Sequence, residues 1–167
     1  MQLLFLRSLN MPNSFRSIGL IARATSSMGN HLFSQQNLQN NQFLYLLHIL
    51  DSPGITQAEL AAQLHVDPST CLRTVRKLIT GGYLVRQADP ADKKRKCLVP
   101  TEQAHAFYPQ LQHYEQTLLT VGTTDFSAGE RLMLEELLAR VATNIERLQA
   151  DPTRFEHGCT PPQDENK

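Results

Sequence analysis

The segment TQAELAAQLHVDPSTCLRTVRKLITGG, residues 56–82, decides the fold. Thr56 is followed three residues later by Glu59, the reciprocal pair that satisfies two orphan N–H groups at a helix start. This predicts a short helix ending at Gln63 or Leu64. His65-Val66-Asp67 is long enough only for a turn. Asp67 then supplies a capping carboxylate, and Pro68 takes the first helical position, where its missing N–H costs nothing. Gly81-Gly82 closes this second helix. Two short helices joined by three residues predict a helix-turn-helix, and the second helix of such a pair commonly enters a DNA major groove.

The second helix separates its residues by chemistry. At about 100° per residue, Cys71, Leu72, Val75, Leu78 and Ile79 share one face. Thr70, Arg73, Thr74 and Lys77 share the opposite face, with Ser69 at its edge and Arg76 at the boundary. One side is core. The other offers cations and hydroxyls, the groups that grip phosphates and base edges, with Arg76 better placed for phosphate than for a base. An ordinary solvated face on an amphipathic helix has the same pattern, so the flanking segments matter.

Downstream, Tyr83–Arg86 and Lys96–Val99 read as two short strands, with Gln87–Arg95 as a polar turn between them. A hairpin directly after a helix-turn-helix is a wing. Lys93, Lys94, Arg95 and Lys96 are four consecutive cations, suited to a loop that follows a phosphate backbone or enters a minor groove. A lone charge run of this kind also serves as a solubilising loop.

Gln42-Phe43, Thr56-Gln-Ala-Glu-Leu-Ala, Asp67-Pro-Ser-Thr, Lys77-Leu-Ile-Thr-Gly-Gly-Tyr-Leu and Asp92-Lys-Lys-Arg-Lys-Cys-Leu-Val-Pro-Thr together resemble the MarR-type (multiple-antibiotic-resistance regulator) family. The resemblance runs from about Asn13 to Gln149. It implies a homodimeric winged-helix protein that binds DNA, usually a repressor released by a small ligand or by oxidation. The family's wing usually carries Asp-x-Arg, in which the Asp orients an Arg into the minor groove. Here Asp92 and Lys94 stand at those positions. Lysine lacks the planar fork, and Arg95 is the available substitute. The family's Leu-Thr after the wing is Pro100-Thr101, and its following glycine is Ala104. The resemblance also implies a ligand cleft between the long helices and the winged lobe, with Ile18, Ala22, Phe43, Leu47, Phe107 and Leu111 as candidate lining.

The chain has 167 residues, enough for one domain with a real core, and a formal net charge of zero. Its charge is unevenly spread. Residues 67–97 hold eight Lys/Arg against three Asp, a local +5, while residues 125–167 hold five against nine, a local −4. Positive charge thus concentrates on the expected reading head. Residues 1–12 read as a disordered leader, and Met11 is an alternative start. The apolar run Leu3–Leu6 is too short for a signal-peptide core, no stretch reaches membrane-spanning length, and the expected location is the cytoplasm.

Residues 13–37 read as a helix, with a bend expected at Met28-Gly29-Asn30. Asn41–Asp51 is apolar nearly all round, so it is expected to be buried on most sides. Glu102 to about Gly122 is a further helix containing Pro109. Ser127 with Glu130 opens the last, carrying the stripe Leu134, Leu138, Val141, Ile145 and Leu148. The expected architecture is mainly α with a small β-wing. It is a single domain over 13–150: a winged helix-turn-helix at 40–101, flanked by dimerisation helices at 13–37 and 102–149. Residues 151–167 read as a disordered tail.

Catalytic signals are thin. Three cysteines without a Cys-x-x-Cys argue for a reducing compartment. Cys71 and Cys97 read more readily as structural thiols than as a redox switch. No two of the six histidines lie at helical i, i+3 or i+4 spacing, and no phosphate-cradling glycine loop or nucleophile elbow is present. The sequence points to no enzyme, cofactor or metal. Two function classes remain: a regulator that binds a palindromic DNA operator as a homodimer under a small-molecule effector, and a winged-helix module whose same face meets a protein.

Overall fold

The computed structural model describes residues 14–151 and 153. The expected leader, the tail beyond Thr153, His157 and Cys159 lie outside the described residues. In chain order the elements are α1 (Ser14–Leu32), α2 (Gln42–Asp51), α3 (Gln57–Gln63), α4 (Pro68–Thr80), β1 (Leu84–Ala88), β2 (Lys96–Pro100), α5 (Glu102–Gly122) and α6 (Ala128–Ala150). They fall into two compact units, one ending at Leu119 and one beginning at Thr120.

In the first unit, local chemistry sets the helix ends. Thr56 and Glu59 form the reciprocal capping pair at the start of α3. Asp67 accepts from the Ser69 and Thr70 N–H groups at the start of α4. His65 closes α3 in the left-handed region, with Val66 N–H bonded to the Ala61 carbonyl. Gly82, at φ 82°, does the same for α4, with Tyr83 N–H bonded to the Leu78 carbonyl. These caps hold the two short helices in a helix-turn-helix over a core of Leu38, Phe43, Leu46, Ile49, Leu60, Val75, Leu78 and Leu98.

The wing differs from the sequence expectation in two ways. Gln87 and Ala88 belong to β1, paired with Cys97 and Lys96 in the antiparallel register, so the turn is only residues 89–95. The hairpin is also tied to the start of α3. Leu98 donates its N–H to the Ile55 carbonyl at 2.8 Å, and Thr56 bridges to Cys97. One bridging residue leaves no alternating pattern for a sequence reading to detect.

α1 runs on through Gly29 as one helix to Leu32. Gly29 is there for a close approach. A Cβ built on it would lie 2.2 Å from Cζ of Phe43. Phe43 belongs to an aromatic cluster centred on Phe33, whose ring lies 5.3 Å from Phe43, 5.5 Å from Phe107 and 5.4 Å from Tyr114, and Tyr114 stands 5.6 Å from Phe43. The Tyr114 hydroxyl donates to the Thr25 carbonyl. α1 and the first part of α5 are thereby fastened to α2. Elsewhere on α1, Phe15, Leu20 and Ile21 are more than 60% exposed.

In the second unit, Ser127 and Glu130 form the expected capping pair at the start of α6. None of α6's residues is buried, and Leu132, Met133, Leu137, Leu138 and Ile145 stand exposed. Among the described residues, no helix is long and apolar enough to cross a membrane.

Candidate nucleic-acid interface

α4 is presented from its N-terminus outward. Asp67 pins the first turn, and Cys71, Val75 and Leu78 lock one face into the core at 0% exposure. The opposite face leaves Thr70, Arg73, Arg76 and Lys77 exposed. Leu72, expected in the core, is only half-buried, because its position turns it toward a groove beside the helix. Two expected reading hydroxyls are partly committed. Ser69 donates its O–H to Asp67 as part of the cap. Thr74 is half-buried, and its hydroxyl donates to the Thr70 carbonyl at 3.1 Å. The free side-chain donors of this face are therefore mainly Arg73, Arg76, Lys77 and Thr70.

The wing turn is built by its aspartates. Asp89 accepts from Ala91 N–H, and Asp92 from Lys94 N–H at 2.9 Å. The Asp92 carbonyl accepts from Arg95 N–H, closing a four-residue turn. Asp92 is thus a turn-former. Lys93, Lys94 and Lys96 are exposed.

Arg95 has a different part. Its guanidinium reaches both oxygens of Glu59 at 3.1 Å and lies 3.8 Å from Asp89. Beside it, Arg86 donates to Gln57 at 2.6 Å. Arg95 therefore straps the wing to α3 through one guanidinium nitrogen, in an ion pair open to solvent. Sequence reasoning counted it as one of four wing cations. Glu59 lies 36 positions earlier, and no local signal pairs them.

The caps give the fold a pH dependence. Hydrogen bonds from Thr56, backbone first, hold the Glu59 carboxyl below its ordinary range, with Arg95 adding to the effect. Ser69, hydroxyl first, does the same to Asp67, and Ser127, backbone first, to Glu130. Carboxyls depressed in the folded state contribute stability above their unfolded pKa values, about 4, and lose it as pH falls through the lower folded values. The melting temperature is expected to drop on acidification below about pH 4. Asp67→Asn, which keeps a capping oxygen without a titrating group, should flatten part of that fall in a pH series of thermal melts. An identical fall in the variant would count against Asp67 as a contributor.

Cys71 is fully buried, its thiol 3.6 Å from the Gln57 carbonyl, and burial pushes its pKa up, which works against a reactive thiolate. Cys97 is buried beside Asp89. Among the described residues, no group of three or more His, Cys, Asp or Glu could hold a metal ion.

The six residues suggested for a ligand cleft separate. Phe43, Leu47, Phe107 and Leu111 are core residues, while Ile18 and Ala22 lie on the exposed part of α1. The structure spends the first four on packing: apolar residues at helical spacing look the same in a sequence whether they fill a core or line a cleft.

The arrangement matches known proteins. Residues 36–95 match a MarR-family model. An uncharacterized HTH-type transcriptional regulator of Bacillus subtilis, YybA, is 38% identical over 82% of this chain and 91% of its own length. A MarR-family regulator from Listeria monocytogenes, solved in complex with a 26mer DNA, is 34% identical; the match has a TM-score of 0.76 and covers 80% of this chain and 89% of that one. A MarR protein from Peptoclostridium difficile gives the same TM-score at 28% identity, over 84% of this chain and 92% of that one.

Proposed function

This chain belongs to the MarR family of DNA-binding transcriptional regulators, and we propose that it acts as a homodimeric repressor on a palindromic operator. The observation that carries the reading is the exposed set Arg73, Arg76 and Lys77 on α4, beside a wing bearing Lys93, Lys94 and Lys96. In this reading α4 enters the major groove, with Arg73, Lys77 and Thr70 toward base edges, Ser69 and Thr74 as acceptors or water partners, and Arg76 on phosphate. The wing lysines track the neighbouring backbone as point charges, with Asp92 shaping the turn and Arg95 holding the wing's angle.

The exposed apolar side chains of α1 and of α6 support the dimer. α1 leaves Phe15, Leu20 and Ile21 exposed, and α6 leaves Leu132, Met133, Leu137, Leu138 and Ile145 exposed. Two-fold symmetry then sets two recognition helices about 34 Å apart, one turn of DNA. A small ligand that favours another separation would release the DNA. A cavity of about 450 Å³ lined by Leu32, Phe33, Gln36, Pro109, Gln110 and His113 offers an apolar wall with polar edges for such a ligand.

The test combines mass and salt. The purified chain is expected to have the mass of two chains at micromolar concentration. Leu138→Glu/Ile145→Glu, both already exposed in one chain, should halve that mass without unfolding it. Binding to the duplex upstream of its own gene should be tighter than to random duplex and should weaken steeply as salt rises. A single-chain mass, or no DNA binding at low salt together with a stable protein partner, would overturn the reading in favour of a protein-interaction module.

A further inference from the structure

We infer that Leu72 is a specificity-determining residue of α4, closing on the C5-methyl group of a thymine in the major groove. The inference rests on the DNA-binding function proposed above and names a base that this surface reads. From Ser69 to Thr80, every α4 residue outside the core is polar except Leu72. Cys71, Val75 and Leu78 are buried, and Ile79, half-buried like Leu72, packs against the core. Leu72 instead lines a groove of about 820 Å³, where it is the one aliphatic side chain among the lining residues.

Its place on the helix is that of a reader. Residues three and four apart on a helix are surface neighbours, so Leu72 stands between Ser69 and Arg76. It lies within the first two turns of α4, and the N-terminal part of a recognition helix is the part that meets base edges. At about 100° per residue, Leu72 is on a flank of the outer face, with Arg76 lying between it and Arg73. A side chain on that flank faces a wall of the groove. The thymine methyl projects into the major groove from the side of the base nearest its own backbone, so a residue beside a phosphate-contacting cation is placed to meet it.

The chemistry is selective. Leucine offers no donor and no acceptor, and the thymine methyl is the one base-edge group in the major groove that gains from meeting a hydrocarbon. Against a guanine edge or a cytosine amine, the same side chain removes water from a polar group and gives back no hydrogen bond. Leu72 therefore favours thymine and disfavours the alternatives with one contact. Being uncharged, it adds nothing to the sequence-independent attraction for phosphate. A leucine scattered on an ordinary surface needs no explanation. This one stands among Ser69, Arg73 and Arg76, on the helix proposed to enter the groove.

The test replaces single thymines by deoxyuridine in the duplex upstream of the gene, which keeps base pairing and removes only the methyl. The full-length wild type is expected to lose about fourfold in affinity at one thymine of a half-site, the worth of one buried methyl, and roughly fifteenfold when both half-sites carry the change. Leu72→Ala should bind the thymine and deoxyuridine forms of that position with equal affinity, while keeping the wild type's losses at any other sensitive thymine. Leu72→Met, which keeps an apolar side chain of similar volume, should restore part of the discrimination. Both variants should keep the wild type's affinity for a random duplex and its slope of log affinity against log salt, because no charge changes.

A merely structural role for Leu72 has a different signature. Leu72→Ala would then weaken every duplex together and lower the melting temperature, with the thymine-to-deoxyuridine losses of the wild type intact at every position. That result, or a wild-type scan with no sensitive thymine, overturns the inference and leaves the DNA-binding function standing. A wild type that does not prefer the upstream duplex to a random one brings down that function and the inference together.

Discussion

Phe43→Ala is expected to lower the free energy of unfolding by about 3–5 kcal/mol, the usual cost of emptying a buried phenyl site. Phe43 is 1% exposed and sits between Phe33, Tyr114 and the bare backbone of Gly29. Removing the ring leaves a cavity that three rigid neighbours cannot fill. The converse lesion is Gly29→Ala. Its methyl would fall inside the ring's van der Waals radius, so the ring or α1 must shift, at about 1–3 kcal/mol for overpacking. Combining Gly29→Ala with Phe43→Leu should cost less than the two single changes summed, because the smaller side chain makes room for the methyl. Urea unfolding of the four proteins in the cycle checks this. A Gly29→Ala midpoint equal to the wild type's would mean that the ring does not lie against α1. For a domain held by only ~5–15 kcal/mol, either single change also depletes the folded population that binds DNA.

The features that could be read from the chain are those in which partners lie within a few residues. Thr56 with Glu59, Ser127 with Glu130, and Asp67 before Pro68 are local devices, and each caps the helix expected of it. The burial of Cys71, Val75 and Leu78 follows from helical period alone. What escaped the sequence is nonlocal. Gly29 reads as a helix weakener until the Phe43 ring is seen against it. Arg95 reads only as a wing cation, and its ion pair with Glu59 across the wing has no local signal. Ile55 and Thr56 contribute their pairing to β2 through a single bridge. The same limit explains why apolar candidates for a ligand cleft, such as Leu47 and Leu111, proved to be core: a sequence gives spacing along one helix, not what the helix faces. The candidate interface was more legible, because exposed cations on α4 and the wing follow from pattern. The groove beside α4 was not, since Asn37, Gln39 and Asn40 line it from outside the helix.

Arg73→Ala is expected to separate readout from docking. Arg73 is exposed on the outer face of α4, the buried Cys71, Val75 and Leu78 on the opposite face hold the helix in place, and its charge helps keep the nearby Asp67 carboxyl below its ordinary range. A guanidinium so presented can bond two acceptors of one guanine edge at once, which lysine cannot. Loss of such a contact costs about 1–3 kcal/mol, roughly a 5- to 150-fold rise in Kd for the operator. Random duplex offers no fixed guanine at that position, so its affinity should fall only by the share owed to one positive charge. Lys94→Ala is the control: a wing point charge on phosphate should weaken operator and random duplex alike and make the salt dependence shallower by about one unit of slope. Arg73→Lys sharpens the distinction, since it restores the charge without the fork. It should recover non-specific affinity while leaving most of the operator loss. Equal losses on both duplexes for Arg73→Ala and Lys94→Ala, or full recovery of operator binding by Arg73→Lys, would reassign Arg73 to the phosphate backbone and leave base readout to Lys77 and Thr70.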